Sequence, residues 1–455
     1  MKNRLIDALR KNSADYAEIR VEIEESTQLA YRGQEMEAAG SSAFSGGIAR
    51  ACANGGWGMV AFDALHNLEE HVKEACRCAN LVGTEKTELA MVEPGEDERP
   101  AELERDPRGV SLDEKLQLIR QYNDIILGAD PSIESSVVSY GDSFRTVYFA
   151  NTNGRYYMEE RPRVYCAFHV TARDGSLVQQ THDSVASVVT YDVVVDLEEK
   201  VQETAKRAVA LLRAPKVEGG PKTVVLNNRM GGVFIHEAFG HLSEADFLYE
   251  NPNMRDLMVI GREMGPTALS VVDDGSLHRT VGSLWYDDEG TPTGKTYLIK
   301  EGLLAGHLHS IETAAKMGAK PTGNARALGR GYPPVVRMTN TYIENGKLPV
   351  KDLFAAVDRG IYACDAFGGQ TEFEMFTFSA AYGYRIENGE IGELVRDVVL
   401  TGNVFETLKT IDGIANDLKI SEGAGGCGKA GQAPLPVAFG SPHIRISNVV
   451  IGGEH

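Results

Sequence analysis

The sequence predicts an α+β protein: an N-terminal α/β domain of antiparallel strands and long helices, then a C-terminal, largely antiparallel β-sheet or barrel-like domain that carries one chemically distinctive helix. Three observations support this. Near the start, residues 16–24 alternate, with Ala17, Ile19, Val21 and Ile23 on one side and charges on the other, the period of a half-buried strand. Long amphipathic patterns at 65–81, 112–127 and 197–212 read as helices. The chain of 455 residues is long for one core, and the run containing Pro215, Gly219, Gly220 and Pro221 divides it into 1–218 and 219–455.

Taken in order, residues 5–13 read as a short helix, and 28–32 and 35–40 as strands separate from 16–24 and broken at Gly33. Strands at 45–50 and 57–62 flank the turn Asn54-Gly55-Gly56. Ser111 followed by Glu114 carries the signature of a capping box at the head of the helix 112–127. Strands follow at 132–140, 145–150, 156–160, 163–171 and 176–184. His169 and His182 fall in or beside them without a motif. Beyond the boundary, strands are expected at 223–226, 296–300, 303–310, 335–342, 361–366, 372–382, 384–388, 394–400 and 444–451. Glu387-Asn388-Gly389 supplies hairpin chemistry. Short helices are expected at 350–355 and 404–411. The acidic run after Tyr286 reads as a surface loop capping a cleft, and it lacks the ligand pattern of an EF-hand. The run 323–332 reads as a flexible basic loop whose arginines either solubilise the surface or hold a substrate carboxylate.

The distinctive stretch is His236-Glu237-Ala238-Phe239-Gly240-His241, which follows apolar Val233, Phe234 and Ile235. Zinc-peptidase helices place two histidines four residues apart on one face, with a glutamate base after the first. Here the separation is five, and at about 100° per residue five steps turn the second ring roughly 140° away. Either a wide π-type turn or a helix ended by Gly240 would restore a common face, so a departure from α geometry is expected between His236 and His241. Far along the chain, Cys427 lies in the glycine-dense run from Gly423 to Gly431 and offers a third soft ligand. Two imidazoles and a thiolate leave one position for water, whose proton Glu237 could accept. The spacing alone also suits a histidine-bearing helix making ordinary hydrogen bonds; Cys427 could instead serve as the nucleophile of a cysteine-dependent hydrolase, or the metal could be structural, held by four protein ligands in a noncatalytic scaffold. Glu244 is either an acceptor for a ligand imidazole or an ordinary acidic residue, with Asp246 a weaker candidate. His307 and His309 share a strand face, but nothing in the sequence links them to the helix.

Forty-six basic against 65 acidic side chains give a net charge of −19, which argues against a general nucleic-acid backbone binder. The six cysteines show no disulfide spacing. With no apolar run near about 18 residues and no secretory core after Met1, no membrane role is expected and cytoplasmic residence is.

The combination of His236-Glu237-Ala238-Phe239-Gly240-His241, Val335-Val336-Arg337-Met338-Thr339-Asn340-Thr341, Leu400-Thr401-Gly402-Asn403, Gly426-Cys427-Gly428-Lys429-Ala430-Gly431-Gln432 and terminal Ile451-Gly452-Gly453 resembles the TldD/PmbA family, specifically its metal-bearing TldD-type subunit. That resemblance implies a zinc-dependent metallopeptidase acting on short or unfolded peptides, with His236, His241 and Cys427 as ligands and Glu237 as general base. It also implies a heterodimer with a metal-less TldE/PmbA-type homologue around an enclosed chamber, a homodimer being the alternative.

Overall fold

The computed structural model describes residues 1–452; Gly453, which closes the terminal motif, lies outside them. The N-terminal half is built on seven strands: β1 (Tyr16–Arg32), β2 (Glu35–Ala53), β3 (Gly56–Phe62), β4 (Gly95–Arg99), β5 (Ile133–Asn151), β6 (Arg155–Asp174) and β7 (Leu177–Ser187). They form one sheet in the order β3-β2-β1-β5-β6-β4, with β7 also paired to β6, and only the β4 to β6 pairing is parallel. The breaks expected between 24 and 28 and between 40 and 45 do not occur. Backbone pairing runs from Tyr16↔Cys52 to Arg32↔Glu35 with one irregularity at Ala30/Tyr31. Facing hydroxyls, Ser26 with Ser42 at 2.9 Å and Thr27 with Ser41 at 3.2 Å, carry the ladder through the polar stretch.

Helices α1 (Lys2–Leu9), α2 (Leu68–Val82), α3 (Leu112–Gly128) and α4 (Glu198–Arg213) cover this sheet. The capping box forms as expected: the Glu114 backbone N–H donates to Ser111 Oγ at 3.3 Å and the Ser111 N–H to the Glu114 carboxylate at 3.1 Å. One core joins Ile19, Val21, Val72 and Cys76, and a second joins Ile119, Val138, Phe168 and Val201.

In the C-terminal half β8 (Gly220–Leu226) lies between Arg359–Glu372, to which it is parallel, and Ile444–Gly452, to which it is antiparallel. The ring continues through Val399–Asn403 and Met375–Glu387 and closes back onto Arg359–Glu372, giving a closed barrel. The hairpin at Asn388 and Gly389 forms with both residues at positive φ, as a two-residue turn between right-twisted strands requires. A second, six-stranded sheet contains Val271–Asp274, Asn340–Ile343 and Ala438–Ser441.

Helix α5 (Asn228–Ile235) leaves the end of β8 and is held from two sides. Phe234 meets Phe376 and Phe378 edge-on at 5.6 and 6.0 Å. Gly231 and Gly232 instead abut Ala438–Ser441, where a Cβ on Gly232 would stand 2.8 Å from the Phe439 ring and 2.9 Å from the Gly440 nitrogen. Side chains at those two positions would push the helix off the sheet.

Two loop expectations are corrected. The acidic run is not a surface loop: Asp287, Asp288 and Glu289 are buried. Arg161 from β6 pairs with Asp288 at 2.9 Å, Arg50 from β2 pairs with Glu289 at 3.1 Å, and Asp287 accepts the backbone N–H groups of Glu289, Thr291 and Ala325. Asp288 and Glu289 are paired with arginines of the N-terminal sheet, so they join the two halves, while Asp287 is held by backbone N–H groups of its own half. The basic loop is likewise fixed. Arg326 is buried and donates to the carbonyls of Met338 and Pro436, while Arg330 pairs with Asp63 at 2.9 Å. Among the described residues, no helix is long and apolar enough to cross a membrane.

Candidate metal centre

The site begins with a cap. Asn227 follows β8, and its side-chain oxygen accepts the Met230 N–H at 2.8 Å and the Asp365 N–H at 3.1 Å, while its amide donates to the Asp365 carboxylate at 3.0 Å. The helix axis is thereby tied to the barrel strand Arg359–Glu372. After Ile235 the backbone widens into a π turn over His236–Gly240, closed by the His241 N–H donating to the His236 carbonyl. That five-residue closure returns the second histidine to the face of the first. The imidazole centroids lie 5.4 Å apart with planes at 79°. Of the two local solutions open to the sequence, the chain uses the π turn. Gly240 keeps right-handed helical dihedrals, φ −56° and ψ −51°. Its lack of a side chain matters for space, because a Cβ there would sit 2.0 Å from Met338 Sδ.

Cys427 arrives on a small hairpin of Cys427–Lys429 and Gln432–Leu435, turned by Ala430 and Gly431 at positive φ. Fully buried Arg337 donates to the Cys427 carbonyl at 2.6 Å and the Gln432 carbonyl at 3.2 Å, one on each strand. Arg163 of β6 donates to the carbonyls of Gly423, Ala424 and Gly425 at 3.3, 3.1 and 3.2 Å, so the N-terminal sheet holds the approach to the hairpin. These ties bring Cys427 Sγ to 3.1 Å from His241 Nε2. One ligand-capable atom from each of His236, His241 and Cys427 lies within 4.8 Å of the others, and no other such trio forms among the described residues.

The surroundings suit a metal ion. His241 Nδ1 is 3.0 Å from Glu244, which leaves Nε2 turned to the thiol. Glu244 is buried and also pairs with Lys429 at 3.0 Å; Lys429 reaches Asp246 at 2.6 Å and donates to the Val336 carbonyl at 3.0 Å. His236 Nδ1 is buried without a hydrogen-bond partner, a costly state that is uncommon for a ring nitrogen with no ligand to serve. Glu237 stands 3.8 Å from His241 Nε2 and is more exposed than His236 or Cys427. Burial pushes the Cys427 thiol up, but the His236 and His241 imidazoles beside it outweigh that and bring it down to about 5, which favours the thiolate at neutral pH. Burial disfavours a charged His241, yet the Glu244 carboxylate and Cys427 hold it well above its ordinary value. A site that draws a proton so strongly between two anions is one where a divalent cation can replace that proton.

Other histidines do not join this trio. His169 and His182 face each other across β6 and β7, stacked at 5.7 Å. His307 and His309 flank Leu308, whose backbone pairs with Ser243 and Ala245 at 2.8 and 2.9 Å and so braces the exit from the π turn. The structure adds three residues whose roles the sequence reading missed: Arg337, Arg163 and Lys429. Only Lys429 left a local signal, since it stands two positions from Cys427 in the sequence.

Residues 17–79, 105–214 and 219–453 match, respectively, the models of domain 1, the central domain and the C-terminal domain of the PmbA/TldA metallopeptidases. The chain is 43% identical over 445 residues to the metalloprotease slr0863 of Synechocystis, covering 98% of this chain and 96% of that protein. It is 31% identical over 331 residues to the zinc metalloprotease TldD homolog of Saccharolobus solfataricus, covering 71% and 72%. The crystal structure of TldE from Thermococcus kodakarensis has the same fold, with a TM-score of 0.79 at 19% identity and full coverage of both chains.

Proposed function

Because the chain belongs to the TldD/PmbA metallopeptidase family, we propose that it hydrolyses peptide bonds in short or unfolded peptides, with His236, His241 and Cys427 holding zinc and Glu237 acting as general base. The observation that carries this reading is the convergence of two imidazoles and a thiol within 4.8 Å beside a partly exposed carboxylate. When bound, the ion would supply Lewis acidity toward water and toward the scissile carbonyl. Glu237 takes the proton of the water that attacks the carbonyl carbon, and returns it to the departing amine as the C–N bond breaks. Glu244 holds the His241 ring in the tautomer that presents Nε2. Residues 1–218 shape the chamber and 219–455 carry the chemistry. A TldE/PmbA-type homologue encloses it as the second subunit, as the shared fold with TldE suggests, with a homodimer the alternative.

The direct test is Glu237→Gln. Hydrolysis of an unstructured peptide should fall about 10²- to 10⁴-fold, with zinc content by elemental analysis unchanged; full activity in the zinc-loaded variant rejects the base assignment. A second reading draws on the 3.1 Å contact between Cys427 and His241 and on the lowered thiol: Cys427 as nucleophile. Cleavage that survives chelation and is abolished by alkylation would establish it in place of the first.

A further inference from the structure

We propose that Lys429 is a positioning residue for the metal centre, an ammonium that locks the cysteine hairpin to the histidine-bearing helix and sets the His241 ring through Glu244; this rests on the metal reading above. An ammonium has three donors, and Lys429 has three acceptors: Glu244 at 3.0 Å, Asp246 at 2.6 Å and the Val336 carbonyl at 3.0 Å. Each lies on a segment that carries or supports a ligand. Glu244 holds His241 Nδ1, Asp246 follows on the same stretch, and Val336 precedes the arginine that grips the Cys427 carbonyl.

The geometry explains why such a lock is needed. His241 and Cys427 are separated by 186 residues, so no local backbone rule fixes their distance. Arg337 and Arg163 anchor the hairpin and its approach to other elements, not to the helix. Apart from the thiol to imidazole contact itself, the hydrogen bonds and ion pairs joining the hairpin to the stretch after the π turn run through Lys429 among the described residues. Glu244 is buried, its second oxygen has no partner, and it is shared between the ring and the ammonium. Removing Lys429 therefore leaves a buried carboxylate free to reorient, and with it the imidazole.

The test uses the purified full chain, metal-free and reconstituted with zinc or with cobalt as a spectroscopic probe. Lys429→Met should bind zinc about 10- to 100-fold more weakly in competition with a chromophoric chelator, and its cobalt form should lose intensity in the thiolate charge-transfer band. A purely structural counter-ion is separated from a positioning residue by the double variant Lys429→Met/Glu244→Gln, which removes both charges and also covers the case in which the single variant folds poorly. Its metal-free melting temperature should return toward that of the wild type while zinc affinity stays low. Zinc affinity and cobalt spectrum unchanged in Lys429→Met, or affinity restored in the double variant together with stability, overturns the proposal and leaves the metal reading intact. A wild-type chain that binds neither metal overturns the metal reading, and this proposal with it.

Discussion

The two carriers of the candidate metal centre reach it by opposite means. The stretch His236–His241 builds its backbone geometry locally: one i to i+5 hydrogen bond closes the π turn and brings both imidazoles to one face. The hairpin Cys427–Leu435 contains nothing that would aim its cysteine at a distant imidazole. Its place is borrowed from Arg337, from Lys429 and, through the preceding glycine run, from Arg163 of the N-terminal sheet. A locally closed element should tolerate loss of remote contacts, whereas a borrowed one should not.

The largest effect expected from that asymmetry is at Arg337. Replacement by Met removes two charge-assisted hydrogen bonds to backbone carbonyls in a fully buried setting, a loss of about 3 kcal/mol or more. Chemical denaturation should register that loss. In the folded fraction zinc should be bound weakly while the helical circular dichroism signal is retained. Loss of helix signal alongside zinc would show that the two carriers are not independent.

Gly240→Ala probes the local carrier and should cost less. The added Cβ meets Met338 Sδ at 2.0 Å, so either the thioether moves or the π turn does, and overpacking of this kind costs about 1–3 kcal/mol. Met338 is unbranched, and Met338→Ala in the same chain should recover part of the lost stability and of the zinc affinity. If the double variant recovers neither, the glycine is required by something other than the space Met338 occupies.

The same asymmetry decides what could be read in the sequence. A departure from α geometry was legible because five-residue spacing between His236 and His241 conflicts with an α-helix, which left two local solutions, a π turn or an end at Gly240, between which the structure decides. The cysteine could be nominated for its chemistry, but its hold could not, since Arg337 and Arg163 are remote and sequence position gives no hint of their acceptors. The acidic run at Asp287, Asp288 and Glu289 was misread for the same reason. Acids in a glycine-bearing turn look solvated until Arg50 and Arg161, more than a hundred residues away, are placed against Glu289 and Asp288. The strands β1 and β2 were cut short because Ser26, Thr27, Ser41 and Ser42 carry no apolar alternation, although paired hydroxyls extend a ladder as well as apolar side chains do.

The smallest effect lies furthest from the His236, His241 and Cys427 cluster, in the interface between the N-terminal sheet and the C-terminal half. Glu18 of β1 is buried beside Arg50, which also holds Glu289. Burial, only partly offset by Arg50, raises the Glu18 carboxyl to about 7. A carboxyl raised on folding is protonated in the folded chain between about 4.5 and 7 while the unfolded chain is ionised there. Its contribution is therefore complete at low pH and is lost as pH rises toward 7. Buried His182 and His309, both lowered to about 4, titrate in an overlapping window with the opposite sign, their contribution being lost as pH falls, so the wild-type profile alone would mask Glu18. The informative quantity is the difference between Glu18→Gln and wild type, since the amide cannot ionise. In urea denaturation the variant should gain on the wild type between pH 5 and 7 and then hold level. A difference that is flat across that range would mean that Glu18 stays ionised throughout and that this interface is insensitive to pH.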